Sequence, residues 1–466
     1  MYDEQWVIGD QPVSTLNFNN NSIALDSIAP VGPYFLTNAD ICDEQGNLLY
    51  VTDGLYIGDR NGDTLENGTG INPCGWTTES ECCGLDIPQA ALFIPKPGDS
   101  RYFYLLHFSF DALDSGRPGT IYYSLIDRNG NGNKGSVVQK NVPIIQDVVL
   151  RGGGMTACKH ANGRDYWIVM GGFNSDTFYR FLLTPDTIAG PFVQAIGPIF
   201  PPPGDIAYSK FSQDGSKYVT GIYQGPVLVM DFDRCSGLFS NPDSIFNQSC
   251  GPGSCSGSGS VEFSPSGRFI YVGNVTTLNQ YDLQASNIQD SVMIYYNDST
   301  QLAELATAQI APNGKIYIST WNGGYYYMHV INNPDAKGDS CGFVYGGQTT
   351  KSADCMSVPN LINYKLGPLV GSGCDTISAI KEQIRDNRQL RIAPNPADKY
   401  VYVEMGMPGD YEFDLVNTFG QLIASKQTRQ VDIFDTEGLA DGVYFIKAIN
   451  RQNLREAITK KVIVVH

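Results

Sequence analysis

A short phrase recurs along this chain and limits what it can fold into. In its clearest copies, residues 211–219, 263–272 and 310–318, a turn built on a small residue and a glycine is followed at once by aromatic and β-branched residues. Glycine supplies the positive φ that a tight hairpin turn needs, and Tyr, Ile and Val favour strands. Looser copies lie earlier in the chain, so that the turn glycines are Gly46, Gly98, Gly163, Gly215, Gly267 and Gly314.

The spacing of the turn glycines predicts the architecture. Successive glycines are 52, 65, 52, 52 and 47 residues apart, which is close to the length of known propeller-blade repeats. The intervals hold short strands and no helical periodicity. We therefore predict an all-β fold, a six- or seven-bladed β-propeller over residues 1–376. We expect residues 1–40 to complete the last blade, together with strands that follow Tyr345.

The last part of the chain has a different pattern. Residues 390–466 hold short alternating strands, with turns at residues 407–410, 419–420 and 440–442. This pattern predicts a small antiparallel, Ig-like β-sandwich. Residues 377–389 are polar and free of turn signals, so we place a linker there.

Charge and cysteine usage exclude several classes of function. The net charge of −17 would repel nucleic acid, and no apolar run is long enough for a transmembrane helix. Several of the 11 cysteines lie near one another in loops without the spacing of a zinc site: Cys74 with Cys82 and Cys83, Cys250 with Cys255, and Cys341 with Cys355. We expect disulfides of an exported protein, with Cys158 as the candidate for the unpaired thiol. The residues after Met1 do not resemble a signal peptide, so we expect a processed form.

Four motifs follow one another in the tail. They are Ala393-Pro394-Asn395-Pro396-Ala397, Val416-Asn417-Thr418-Phe419-Gly420-Gln421, Leu439-Ala440-Asp441-Gly442-Val443-Tyr444-Phe445 and Lys460-Lys461-Val462-Ile463-Val464. In this order and spacing they resemble the type A C-terminal sorting domain of the Bacteroidetes type IX secretion system. The resemblance implies that the sorting signal includes Pro394, Asn395, Pro396, Gly420, Gly442, Tyr444, Lys460 and Lys461.

The same resemblance implies where the protein goes. It implies recognition of residues 390–466 by the type IX machinery, passage through the periplasm, and release or attachment at the outer cell surface. The larger part of the chain resembles an uncharacterised β-propeller region of exported proteins, through residues 158–167 and 231–237. That resemblance carries over no catalytic residues.

One loop has the residue pattern of a calcium site. Asp127, Asn129, Asn131 and Asn133 alternate along a Gly-rich stretch, as oxygen ligands do in the first half of an EF-hand loop. The twelfth position is Val138 rather than a bidentate Glu. An Asn/Gly hairpin turn would need the same residues. Calcium is therefore the one cofactor that the sequence suggests.

Two sets of residues are candidates for binding. Trp321, Tyr325 and Tyr326 would offer an aromatic platform to a sugar ring or a peptide, although tyrosines on a strand also serve the core. His160 and Arg164 lie close together beside other polar residues. They would form either a ligand-binding cluster on a propeller face or a polar network between neighbouring blades.

The motifs of common enzyme classes do not occur in the sequence. There is no G-x-S-x-G elbow, H-E-x-x-H helix or P-loop, and we assign no catalytic residue. We therefore predict a non-enzymatic cell-surface or extracellular propeller for adhesion, display or assembly, with an extracellular protein or glycan as partner. One alternative is a secreted hydrolase of polysaccharide or protein, with carboxylates gathered from distant blades. Another is a self-assembling subunit of a surface filament.

Overall fold

The computed structural model contains two compact units, Met1–Thr376 and Ile377–His466. No helix in the described part of the chain is long and apolar enough to cross a membrane. The predicted linker, residues 377–389, lies outside the described residues. The structure describes all of the chain except residues 1, 20–22, 30–31, 76, 78–83, 110–116, 200–205, 224, 246–259, 275, 297–304, 322–323, 355, 357, 376–389, 406–408, 419 and 452–456.

Seven groups of antiparallel strands, which we call blades 1 to 7, form most of the described part of the first unit. A parallel bridge between Glu66 and Ser136 joins blades 2 and 3 into one sheet. Blades 1 to 3 are β1–β3 (Gln5–Ile8, Val13–Asn17, Ala24–Ile28), β4–β7 (Ala39–Cys42, Leu48–Thr52, Tyr56–Asp59, Thr64–Thr69) and β8–β11 (Ala91–Pro95, Tyr102–Ser109, Thr120–Asp127, Ser136–Ile145). A short helix, Gly130–Asn133, connects β10 to β11, and β12 (Gly152–Gly153) pairs with the inner edge of blade 5.

Blades 4 to 7 complete the ring. They are β13–β16 (Thr156–Lys159, Tyr166–Gly171, Thr177–Leu183, Ile188–Ala195), β17–β20 (Ile206–Phe211, Lys217–Ile222, Val227–Phe232, Phe239–Ile245), β21–β24 (Ser260–Phe263, Phe269–Gly273, Thr277–Asp282, Ser291–Tyr296) and β25–β28 (Leu305–Ile310, Ile316–Thr320, Tyr325–Ile331, Phe343–Asp354). A 3₁₀ helix, Gly338–Cys341, precedes β28. First strands of neighbouring blades contact one another around the axis, as β17 does with β21 and β21 with β25.

The predicted turns are confirmed, and with them the propeller fold. All six turn glycines have φ between 71° and 84°, the region that L residues with a side chain rarely adopt. In blade 5 the amide of Gly215 donates to the carbonyl of Ser212 at 2.8 Å, which closes the hairpin from β17 to β18. The recurring phrase is thus the hairpin between the first two strands of a blade.

The prediction that residues 1–40 complete the last blade is wrong. They form three strands of their own, and β28 completes blade 7 without them. The ring closes instead through hydrogen bonds between blades 1 and 7. The hydroxyl of Ser14 accepts from the amides of Lys351 and Ser352 at 2.8 and 2.9 Å, and the amide of Asp10 donates to the carbonyl of Ala353 at 2.9 Å.

The residues that follow blade 7 fill the propeller axis, and we call residues 358–366 the axial segment. Val358, Leu361, Ile362 and Tyr364 are buried in the main hydrophobic core, with side chains of the first strands of blades 2 to 4. Asn360 fixes the segment, because its side-chain amide donates to the carbonyls of Ala91 at 2.9 Å and Met155 at 3.0 Å, and its Oδ1 accepts from Gln89 at 3.1 Å.

A disulfide fastens the chain beyond the axial segment. Cys374 is bonded to Cys235 in the turn between β19 and β20 of blade 5. Cys158 is a buried thiol, as predicted. Cys341 is also a buried thiol, so its expected pairing with Cys355 does not form. Of the other cysteines for which loop disulfides were expected, Cys74 has its Sγ 3.1 Å from Thr77 Oγ1. Cys82, Cys83, Cys250 and Cys255 lie outside the described residues, as does Cys355 itself.

The second unit is a small β-sandwich with its own core. Its two sheets are β29–β30–β33 (Leu390–Ala393, Tyr400–Met405, Val431–Asp435) and β32–β31–β34–β35 (Leu422–Thr428, Tyr411–Asn417, Gly442–Asn450, Ala457–Val464). Asn395, in the first of the four tail motifs, joins the start of this unit to its last strand. Its Nδ2 donates to the carbonyl of Lys461 at 3.0 Å, and its Oδ1 accepts from the amide of Ile463 at 2.8 Å.

Candidate axial site

A cavity of about 290 Å³ lies beside the axial segment. On one side it is lined by Leu361 and Ile362 of that segment, and on the other by the ends of the first strands of blades 5, 6 and 7. Its rim includes Gln213, Pro265 and Pro312, which are equivalent residues of three copies of the recurring turn. The repeat that builds the propeller therefore also builds the mouth of this cavity.

Three polar side chains line the deep wall of the cavity. Lys210, Glu262 and Gln309 are all buried, although the first strands around them are otherwise largely apolar. Each stands five residues before the turn glycine of its blade. Identical strand geometry in the three blades therefore directs all three side chains to the same place.

The contacts of these three residues define a buried, charged centre. Lys210 Nζ donates to Gln309 Oε1 and lies 3.9 Å from Glu262 Oε2. The carboxylate of Glu262 accepts from the amides of Phe263 at 2.8 Å and Ile310 at 3.1 Å. Burial raises the pKa of Glu262 and lowers the pKa of Lys210, and in both cases the opposite charge of the partner acts against the shift.

A second pair of charges lies on the same cavity. Asp3 and Lys365 both line it, with Lys365 Nζ 3.8 Å from Asp3 Oδ1 and 3.3 Å from Glu4 Oε1. Burial raises the pKa of Asp3, and the charge of Lys365 opposes this. Asp3 Oδ1 is buried and accepts no hydrogen bond from the described residues. The cavity therefore presents both an ammonium donor and an unused carboxylate acceptor.

None of these residues was a candidate from the sequence. Lys210, Glu262 and Gln309 are far apart in the chain, and a single Lys, Glu or Gln in a strand is not a motif. The signal was present in the repeat itself, because a polar residue stands at the same offset in three copies of an otherwise apolar strand. Aligning the copies on their glycines would have selected these positions.

The predicted aromatic residues lie in two separate ring contacts. Trp321 stacks on Tyr223 of blade 5, with ring centroids 6.2 Å apart and planes 3° apart. Tyr325 packs against Tyr327 at 5.4 Å, within a cluster of half-buried rings of blades 6 and 7. Tyr326, on the opposite face of β27, is 59% exposed. Their role in binding stays a prediction.

His160 and Arg164 belong to a network that joins blades 4 and 5. His160 Nε2 lies 3.0 Å from the carbonyl oxygen of Cys235, and Arg164 pairs with Asp165 at 2.7 Å. Arg234 of blade 5 makes a further contact between these two blades, because its Nε donates to the carbonyl of Lys159 in blade 4 at 2.9 Å. These contacts form a polar network between neighbouring blades, and a role of His160 and Arg164 in ligand binding stays a prediction.

Asp127 of the predicted calcium loop is engaged by an arginine. Arg101 donates to both of its carboxylate oxygens, at 2.8 and 2.6 Å, and lowers the pKa of Asp127. Asn131 and Asn133 adopt positive φ in the hairpin between β10 and β11. Among the described residues there is no group of three or more His, Cys, Asp or Glu placed to hold a metal ion. Calcium binding by Asp127, Asn129, Asn131 and Asn133 stays a prediction.

Comparison with known proteins identifies the second unit. Residues 391–465 match the sequence model of the secretion system C-terminal sorting domain. The chain is thus an exported β-propeller protein with a sorting domain, as the four tail motifs implied. It is delivered by the type IX secretion system to the cell surface or the extracellular space.

Solved structures with similar folds include three bacterial proteins. A protein from Lactobacillus plantarum is 12% identical, with 77% of this chain and 99% of that chain covered and a TM-score of 0.49. A putative 6-phosphogluconolactonase from Bacteroides uniformis is 15% identical (76% and 99% covered, TM-score 0.47). The periplasmic gluconolactonase of Pseudomonas aeruginosa is 13% identical (77% and 96% covered, TM-score 0.43). Similarity at this level carries no argument about activity. No curated protein matches the sequence.

Proposed function

We propose that this protein is a non-enzymatic propeller at the cell surface that serves adhesion. The observation that supports the proposal most is the axial segment, which fills the centre of the ring with the chain's own residues. Because the side chain of Asn360 forms hydrogen bonds with Gln89, Ala91 and Met155, in or beside the first strands of blades 3 and 4, the segment is a fixed part of the core. A ring closed in this way leaves its outer faces and the small axial cavity for recognition.

The chemistry of the axial cavity also favours binding over turnover. Glu262 is committed to two backbone amides and faces a buried ammonium group. Each oxygen of this carboxylate therefore accepts a backbone hydrogen bond, which holds the group in place as part of the fold. The sorting domain supplies the remaining support, because it delivers the propeller to the surface where an adhesive protein acts.

The proposal is tested in cells that produce the protein. Three strains are compared: one with the full chain, one with the chain truncated after residue 389, and one without the gene. We expect surface labelling and attachment to a glycan-coated or protein-coated support with the full chain, and loss of both in the other two strains. Equal attachment by all three strains, with normal labelling of the first, would overturn adhesion as the function.

A secreted hydrolase is the second candidate, and one observation favours it. Asp3 and Glu262 both line the axial cavity, and burial raises the pKa of each, as is common for general acids. The test is turnover of glycosides, peptides and esters by the purified full chain. Rates of about 1 s⁻¹ or more, abolished in Glu262→Gln, would establish this candidate. Background rates in both proteins support the non-enzymatic proposal.

The filament subunit stays a prediction from the sequence. Electron microscopy of concentrated full-length protein tests it directly. Regular polymers would establish self-assembly, and dispersed particles at all concentrations would remove this hypothesis.

A further inference from the structure

We propose that the axial cavity binds one uncharged, hydroxyl-rich ring, the terminal sugar residue of an extracellular glycan. The inference deepens the proposed function and rests on it, since adhesion at the cell surface brings the cavity to such glycans.

The size of the cavity limits what it can hold. Its volume of about 290 Å³ lies at the lower end of the range of small-molecule sites. Among its lining residues, the turn residues Gln213, Pro265 and Pro312 are partly exposed, whereas Leu361 and Ile362 are buried, so solvent reaches the cavity from the side of the turns. A single sugar ring at the end of a chain has a suitable size and needs only one open side.

Two polar groups in the cavity have hydrogen-bonding capacity to spare. Lys210 carries three N–H donors, of which one is directed to Gln309, and the separation of 3.9 Å from Glu262 is too long for a hydrogen bond. Asp3 Oδ1 is buried without a hydrogen-bond partner in the described part of the chain. A buried polar atom left in this condition costs free energy, which a ligand that bonds to it removes.

A hydroxyl group satisfies both kinds of atom, because it donates one hydrogen bond and accepts two. A ring with several hydroxyls would accept from Lys210 through one and donate to Asp3 through another. Ammonium ligands cannot accept from Lys210, and carboxylate ligands cannot donate to Asp3. The pairing of an unused donor with an unused acceptor therefore favours hydroxyls over either ion.

The charges around the cavity lead to the same class of ligand. Lys210 is balanced by Glu262, and Lys365 is balanced by Asp3 and Glu4. The cavity therefore has no excess of positive charge that would attract an anion, and the net charge of −17 on the whole chain repels one. A cation would have to enter against the buried ammonium group. An uncharged ligand avoids both penalties.

The test is direct binding of methyl glycosides of common hexoses and pentoses to the purified full chain, measured by isothermal titration calorimetry. We expect at least one glycoside to bind with a dissociation constant of about 1 mM or less. Lys210→Met should weaken that binding at least tenfold. Lys217→Met is the matched control, because Lys217 lies in the next strand and pairs with Asp231 outside the cavity, and it should change affinity less than twofold.

A second variant covers the case in which Lys210→Met does not fold, since it leaves Glu262 buried without its partner. Gln213→Trp places a large side chain at the rim and leaves the buried pair intact, and it should abolish binding while the circular dichroism spectrum and the urea midpoint stay native. No binding of any glycoside by the wild-type chain, or equal binding by Gln213→Trp, would overturn the inference.

The two proposals fail in different ways. If the cells attach but the purified protein binds no glycoside, the sugar site is contradicted and adhesion is not. If the purified protein binds a glycoside but the attachment of the cells does not depend on the protein, adhesion is contradicted and the sugar site is not.

Discussion

Replacing Asn360 by Ala should loosen the axial segment and destabilise the whole propeller. The side chain of Asn360 donates to two carbonyls and accepts from Gln89, and all of these groups are buried. Alanine removes the three hydrogen bonds and leaves their partners without replacement. Each such bond contributes about 1 kcal/mol, and a buried partner left unsatisfied adds to the loss. We expect the free energy of unfolding to fall by about 3–4 kcal/mol.

Urea unfolding followed by tryptophan fluorescence measures this loss in the full chain. All four tryptophans, Trp6, Trp76, Trp167 and Trp321, belong to the first unit, so the signal reports the propeller alone. The expected fall corresponds to a decrease in midpoint on the order of 0.5–1 M urea.

The neighbouring variant Asn363→Ala is the matched control for Asn360→Ala. Asn363 lies in the same segment, but it is half-buried. Its side-chain amide donates to the carbonyl of Gln213 at 2.7 Å and accepts from the exposed amide of Lys365 at 2.9 Å, and water can replace Asn363 at both partners. It should lose no more than about 1 kcal/mol. Equal and small losses in the two variants would refute the assignment of Asn360 as the residue that fixes the segment.

Three further predictions concern the disulfide, one buried histidine and the sorting domain. Replacing Cys235 and Cys374 by Ser opens a cross-link across 139 residues and should lower the free energy of unfolding by about 2–5 kcal/mol, measured by the same urea titration; an unchanged midpoint would contradict this. Burial lowers the pKa of His107 from 6.5 to about 3. The buried neutral imidazole therefore costs no stability above pH 6.5, and the free energy of unfolding decreases as the pH falls below 6.5, because the unfolded chain binds the proton more readily. At pH 5 the loss is about 2 kcal/mol, and His107→Gln should show a flatter decline from pH 7 to 5 than the wild type. Asn395→Ala removes the two hydrogen bonds to the last strand and should lower the melting temperature of isolated residues 390–466 and reduce export in cells; normal export of a destabilised domain would separate stability from sorting.

The fold could be predicted because the recurring turn is a local signal. A glycine with positive φ at Gly215 or Gly267 is required by the hairpin itself, whatever surrounds it. Repetition of the hairpin then determines the ring, since each blade needs its neighbours to bury its faces. The sandwich was predictable for a similar reason, because its motifs lie at strand ends and turns.

The axial segment could not be predicted in this way. Residues 358–366 have no strand periodicity, and their burial depends on a ring that exists only after all blades have formed. Asp3 and Lys365 meet at the cavity although 362 positions separate them in the sequence. The loop of Asp127 is a related case, because the sequence pattern of a calcium loop does not reveal that Arg101 pairs with its first carboxylate.

Hydrogen exchange of the axial segment is the most direct test of a closed propeller axis. In the full chain at neutral pH, the amides of Val358 and Asn360 donate to Thr307 at 2.9 Å and to the carbonyl of Asn38 at 2.8 Å. We predict that peptides covering residues 358–364 are protected to the same degree as peptides from the first strand of blade 5. Exchange of these peptides at the rate of the exposed turns would contradict a filled axis. It would also remove the main support for the proposal of a non-enzymatic, adhesive propeller.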